Sequence, residues 1–379
     1  VTAPRRVAIL GPAPPDRGGI ARETALLAEE LSRRVPVLYA TFSRRYPRAF
    51  DPRRFDLDPA LGRVPAAERL LDYRSPGSWR HTADEIAGSA DALIVPWWTA
   101  FWGLPVRAVL RRLRARSPGT PSVLLCHNVE DHEGGAFRRF LAIGALSAAD
   151  AFVVHAASDV PKLARLAPGR PAAVLAHPVS PAPLPPREEA RRQLGLESGE
   201  PLVLFLGLVR PYKGVDLLLD AAPGIVRETG ARIAIVGEVF PDARDLARRA
   251  RSSAVRERIL WKDEYVSEEE MGRWLAACDV VALPYRKISG SGIAARAIAA
   301  GRPMAAPPVG GLAEVVLEGI TGEQHAPGDA ASLAAAVRRV LGRPSGFYDA
   351  GLRKAAESAS WPRYADSLLA FLATLAPAR

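Results

Sequence analysis

Pro178-Val-Ser-Pro-Ala-Pro-Leu-Pro-Pro186 divides this sequence into two similar halves. Proline fixes φ and carries no amide proton, so such a run can be neither helix interior nor central strand, and it reads as a linker. Before it, short apolar runs at Val7–Leu10, Val35–Tyr39, Ala92–Val95, Ser122–Cys126, Ala151–Val154 and Ala172–Leu175 alternate with longer helix-like stretches. The same rhythm resumes after it, with Leu202–Leu206, Arg232–Val236, Ile259–Trp261, Val280–Leu283 and Pro303–Ala306. Alternation of this kind predicts parallel sheets covered by helices. The expected fold is therefore α/β, with two Rossmann-like doubly wound domains facing a cleft into which the carboxyl ends of both sheets open. Its expected limits are 1–178, a linker over 179–200, 201–356 and a terminal segment 357–379.

The 379 residues suit two cores of ordinary size. No apolar run reaches the eighteen or so residues of a membrane span. The opening Val-Thr-Ala-Pro-Arg-Arg passes directly into the apolar Val7–Leu10, which leaves no room for a signal peptide and predicts a cytoplasmic protein. Cys126 and Cys278 are far apart beside apolar strands and read as core thiols rather than a disulfide. The net charge of +10 favours an anionic partner, unless coding bias toward arginine is its whole origin. Without zinc-finger spacing or an aromatic-basic sheet signature, nucleic acid is not expected.

Four loops carry chemistry. Gly11-Pro-Ala-Pro-Pro-Asp-Arg-Gly18-Gly19 leaves the first strand and enters a helix, where free amides and small residues suit a phosphate, or form a plain βα turn. Its glycine spacing is not that of a dinucleotide fingerprint. Gly207-Leu-Val-Arg210-Pro-Tyr-Lys213-Gly214 sets two cations three residues apart, expected to point at one place and grip a diphosphate. Ser289-Gly290-Ser291-Gly292 opens a helix as a second phosphate cradle, or as a simple cap. Cys126-His127-Asn128-Val-Glu130-Asp131-His132-Glu133 follows a strand, and its His127 can hydrogen-bond a sugar hydroxyl or act as acid or base. His127 and His132 lack the spacing of a helical zinc site and no metal is expected. Asp56-Leu-Asp58 lies in a loop-like stretch without an adjacent strand and is set aside as a metal motif. The basic run Arg107–Arg116 reads either as a helix facing anionic lipid or as a solvated face.

Taken together these motifs resemble the family 4 glycosyltransferases, retaining enzymes of the GT-B fold, along nearly the whole chain. The resemblance rests on Gly18-Gly19, His127, Arg210 with Lys213, Ser289–Gly292 and Gly310-Gly311-Leu-Ala-Glu314, in order and approximate spacing. It implies that Arg210, Lys213, Gly18, Gly19, Ser289, Gly290, Ser291, Gly292 and Glu314 serve the donor, with Val266 near the base. It further implies that His127, Arg210 and Lys213 act in catalysis and that Asn128 and His132 lie toward sugar or acceptor. The segment from Ser360-Trp361 resembles the family's last helix, which crosses back to the first domain. The implied activity is sugar transfer from a UDP- or GDP-sugar to a glycan or lipid-linked acceptor, without cofactor or metal, with peripheral contact to an anionic membrane as a further expectation. Ile288 and Arg296 occupy the places of two carboxylates found in many members. That departure keeps two alternatives open, a non-catalytic nucleotide-sugar or glycan-binding protein and a GT-B epimerase using Glu130, Asp131 or Glu133.

Overall fold

The computed structural model describes residues 3–16, 18–46, 67–129, 135–179 and 184–375; Asp56 and Asp58 lie outside them. The chain forms two compact units, the first running to Ala176 and taking back the segment from Trp361, the second spanning His177–Ser360. The first holds a seven-stranded sheet of β1 (Val7–Leu10), β2 (Val37–Arg44), β3 (Ala67–Asp72), β4 (Ala92–Trp97), β5 (Ser122–Cys126), β6 (Ala151–Val154) and β7 (Ala172–Val174). Their order is β3-β2-β1-β4-β5-β6-β7. The second holds six strands, β8 (Leu202–Leu206), β9 (Arg232–Val236), β10 (Ile259–Lys262), β11 (Val280–Ala282), β12 (Met304–Ala306) and β13 (Gly322–Gln324), in the order β10-β9-β8-β11-β12-β13. Each neighbouring pair in both sheets is parallel, as helical crossovers require. In both, strand order reverses beside the first strand, and the loops that leave the two strands flanking that reversal form the usual ligand crevice.

Apolar runs betrayed the central strands because both faces are covered. Ala8 and Leu10 face one core with Leu93, Val95, Leu124 and Phe152, while Val7 and Ile9 face another with Ile94, Val123 and Val153. One edge strand of each sheet was not legible. β3, Ala-Glu-Arg-Leu-Leu-Asp, and β13, Gly-Glu-Gln, each pair on one side and carry charged or small residues. The expected linker over 179–200 is corrected in part: a helix forms at Arg187–Gln193 and belongs to the second unit. Its Arg191 is buried and donates to the carbonyls of Ala277, Glu197 and Glu200, which ties the segment before β8 to that unit. The polar sequence of this helix gives no hint of that burial.

The helix Trp361–Leu375 belongs to the first unit, as the crossing-back helix of the resemblance implies. Trp361, Tyr364, Ala365, Leu368 and Leu372 recur at helical spacing and are buried with Val7, Ile9 and Val123. The helix Gly19–Ser32 covers the same sheet face and is joined to it by Arg34, which donates to Asp366 at 2.5 Å and to the Pro362 carbonyl at 3.1 Å. We expect Leu368→Ala to cost about 2–5 kcal/mol in urea unfolding, since the cavity opens within this shared core. Exposed Ser367→Ala serves as the control and should shift stability by less than about 0.5 kcal/mol.

Candidate functional site

In the second unit the loop after β8 is wedged between the loops after β9 and β11. Gly237, at φ 145°, brings its Cα so near Gly207 that an added Cβ would meet the Gly207 carbonyl oxygen at 2.0 Å. Val209 then continues the pairing, its amide donating to the Glu238 carbonyl at 2.9 Å and its carbonyl accepting from Phe240 at 3.1 Å. On the other side Gly214, at φ 69°, lies where a Cβ would meet the Pro284 carbonyl at 1.9 Å. Only glycine satisfies both the left-handed backbone and the close approach. Arg286 fastens the same pair of loops, donating from its amide to the Tyr212 carbonyl at 2.8 Å and from its guanidinium to Asp216 at 2.8 and 2.5 Å.

The two cations, expected to point at one place, have different neighbours. The Arg210 guanidinium lies 4.3 Å from the Phe240 ring centre and 3.4 Å from Asp242, on the β9 side. Lys213 turns toward the β11 side, where its Nζ donates to Tyr285 Oη at 3.0 Å and sits 4.1 Å from the centre of that ring. Among the described residues Lys213 is buried without a carboxylate partner, and burial pulls its ammonium below the usual lysine range. Tyr285 is itself buried, and burial raises its phenol. Ser291 Oγ accepts from the Ala294 amide at 3.2 Å, capping the helix Gly292–Ala299. The Ser291 hydroxyl, expected to hold a phosphate oxygen, is thus already engaged by its own helix.

Around this centre Ser289 is buried, its carbonyl accepting from Gly311 at 2.9 Å, while Gly290 and Gly292 are half-buried. Gly310, at φ 51°, packs where a Cβ would touch the Ile288 carbonyl at 1.7 Å, which seats the loop before the short helix Leu312–Val315 against the Ser-Gly loop. Glu314 is exposed on that helix. Val266 is buried just after β10, near Asp263, whose carboxylate accepts from the Val239 amide at 2.8 Å. Arg296 is held by Glu268 through two contacts of 2.5 and 2.8 Å. Sequence reading found neither Tyr285 as the companion of Lys213 nor Glu268 as that of Arg296, because each pair is brought together by tertiary packing.

In the first unit Gly18, at φ 116°, precedes the helix Gly19–Ser32, whose start has no side-chain cap, and an added Cβ at Gly18 or Gly19 would meet nothing within 4 Å. One turn into that helix, Glu23 lies 3.6 Å from His127 Nδ1. The His127 ring stands 5.4 Å from that of His155, which follows β6 as His127 follows β5 and is buried with Nδ1 3.0 Å from the Leu175 carbonyl. Glu23 and His155 were not singled out in the sequence, although the end of a parallel strand marks His155 as it marks His127. Asn128 donates to the Trp98 carbonyl at 3.4 Å. His132, with Glu130, Asp131 and Glu133, lies outside the described residues. Cys126 and Cys278 are free and buried; burial raises the Cys126 thiol and pushes Cys278 up to about 12, so neither is a ready nucleophile.

The second unit is thus a doubly wound α/β fold with its ligand-type crevice at the strand-order reversal. Residues 200–343 match the family model described as Glycosyl transferases group 1. D-inositol 3-phosphate glycosyltransferases of Geodermatophilus obscurus and Nocardia farcinica are 33% and 34% identical to the chain over 193 and 194 residues, 48% of this chain and 42% of theirs in both cases. The chain thus aligns with less than half the length of these curated relatives. Among solved structures, sucrose-phosphate synthase of Thermosynechococcus elongatus superposes with a TM-score of 0.71 at 20% identity, over 98% of this chain and 99% of that one. Anabaena HepE in complex with UDP-glucose gives a TM-score of 0.75 at 14% identity, over 97% and 99%. The likeness shows the fold, the GT-B fold expected from the sequence.

A buried lysine without a carboxylate destabilises the protein in the absence of an anion. Proton linkage gives the sign of its pH dependence. The unfolded chain keeps the Lys213 proton up to the ordinary pKa of 10.5, the folded chain releases it at lower pH, and between the two values stability rises with pH. Lys213→Met should therefore make the ligand-free protein more stable near neutral pH, by about 1 kcal/mol in urea unfolding. That advantage should shrink as pH approaches 10.5. A destabilised variant with no such pH dependence would make Lys213 an ordinary packing residue.

Proposed function

We propose that this protein is a glycosyltransferase that takes a sugar from a nucleoside diphosphate sugar, UDP- or GDP-linked, and transfers it to a glycan or lipid-linked acceptor with retention of configuration, as the family 4 resemblance implies. The observation that carries the reading is Lys213: a buried ammonium, held by one phenol and lacking a carboxylate among the described residues, within a unit that matches the group 1 family model. Such a cation suits a diphosphate, and its charge counters the charge that builds on the leaving group as the glycosyl bond breaks. Arg210, on the same loop, is assigned to the same diphosphate after release from Asp242, and the amides around Ser289–Gly292 to its oxygens. Glu314 and the backbone of Val266 are assigned to the rest of the donor, Val266 to the base. In the first unit, Gly18 and Gly19 at an uncapped helix start suit a phosphate. His127, with Glu23 beside it, suits a sugar hydroxyl, and Asn128 and His132 are assigned to sugar or acceptor.

Titration calorimetry with UDP, GDP and ADP tests the reading. Saturable binding of one nucleotide is expected, weakened roughly tenfold to a hundredfold by Lys213→Ala for the loss of a charge-assisted contact of about 1.5–3 kcal/mol. Binding unaffected by that substitution would remove Lys213 from the site. His127→Ala should lower sugar transfer far more than nucleotide binding, because the nucleotide lacks the sugar. Equal losses would give His127 a structural role. Since cationic side chains meet the leaving group in this scheme, turnover should survive EDTA.

The second reading, a binding protein without transfer, is favoured by one observation. Ile288 is apolar and Arg296 is paired with Glu268 at the two places where many members of the resembled family carry carboxylates. Donor binding without turnover across an acceptor panel would select it.

A further inference from the structure

The basic run that sequence reading offered to a membrane has much of its charge satisfied within the first unit. On the helix Gly103–Arg116, Arg112 and Arg116 both pair with Asp84, at 2.5 and 3.2 Å, and Arg114 pairs with Asp150 at 2.5 Å. Beside it lies the helix Ala136–Leu146, which departs from the usual rule for surface helices. Its buried stripe is small, Ala142, Ala145 and Leu146, while Phe137 and Phe140 stand 71% and 62% exposed. No other large apolar side chain among the described residues is as exposed. Phe137, Phe140, Leu141 and Gly144 follow one another at i, i+3, i+4 and i+7 and share a face.

The neighbouring helix extends that face. An added Cβ on Gly103 would lie 2.5 Å from the Leu141 carbonyl and one on Gly144 would lie 3.4 Å from the Arg107 side chain, so the two helices cross almost backbone to backbone. Leu104, 50% exposed, shares with Arg107 and Arg111, at i, i+3 and i+7, the helix face from which Arg107 reaches Gly144. Arg138 and Arg139 lie between the phenylalanines in sequence, Arg107 and exposed Arg111 lie on the partner helix, and neither helix contains an aspartate or glutamate.

We propose that this face of the first unit, Leu104, Phe137 and Phe140 rimmed by Arg107, Arg111 and Arg139, docks on an anionic lipid bilayer. Aromatic side chains beside arginine on a helix without acids match the chemistry of the headgroup boundary, apolar below and negatively charged above. A second copy of the chain fits less well, because a two-fold contact would set these arginine-rich faces against each other. The inference stands independently of the nucleotide site and does not require the protein to act on a lipid-linked acceptor.

Flotation of the full chain with phosphatidylcholine vesicles, with and without phosphatidylglycerol, tests it. Association is expected with the anionic vesicles alone, and it should fall as salt is raised. Phe137→Ser with Phe140→Ser should lower the partition coefficient on the order of tenfold or more while leaving the melting temperature and nucleotide affinity unchanged, since both side chains are exposed. Arg139→Gln with Arg111→Gln should weaken association at low salt only. The proposal is overturned if wild-type protein ignores anionic vesicles at low salt or if the double serine variant still floats. A wild-type dimer in light scattering that becomes monomeric in the double serine variant would instead make the face a subunit interface.

Discussion

The approach of the loop after β8 to its two neighbours is the constraint on which the second unit's chemistry depends. Gly237 lies against the Gly207 carbonyl and Gly214 against the Pro284 carbonyl, at separations that admit no Cβ. Strand order makes this possible: β8 stands between β9 and β11, so its loop is flanked by theirs. With the backbones interlocked, Arg210 lies against Phe240 and Lys213 against Tyr285. A residue larger than glycine at either point would part the loops and release Lys213 from Tyr285.

Lys213 is a burial that costs the fold stability. A fold selected for stability alone would place an apolar side chain in that pocket or provide a carboxylate. The chain instead holds an ammonium over an aromatic face and against one hydroxyl, with no carboxylate beside it among the described residues. Arg296 provides the contrast, since its charge is fully answered by Glu268.

The first unit is built on a different dependence. Its sheet presents apolar residues on both faces, and one face is closed by the helices Gly19–Ser32 and Trp361–Leu375 together. The last helix therefore belongs to the first unit by hydrophobic necessity, although it follows the second in sequence. The same uneven distribution of apolar surface leaves Phe137 and Phe140 outside the core, on a helix whose inward face needs only alanine and leucine.

By itself the sequence determined the two-fold α/β alternation, the buried central strands, the glycine-punctuated loops and the positions of His127, Arg210 and Lys213. All of these follow from local rules: apolar runs for strands covered on both faces, proline for breaks, and glycine for tight loops. The edge strands β3 and β13 escaped, because a strand paired on one side need not be apolar. The helix Arg187–Gln193 escaped as well, because its place in the fold comes from one buried arginine. Only tertiary structure decided that Arg210 and Lys213 have different neighbours, that Tyr285 holds the lysine, that Glu23 and His155 stand beside His127, and that the charges of the Arg107–Arg116 run are answered by Asp84 and Asp150. These partners are separated by tens to more than a hundred residues, so their meeting is set by strand order and loop packing, which a linear pattern of residue types does not encode.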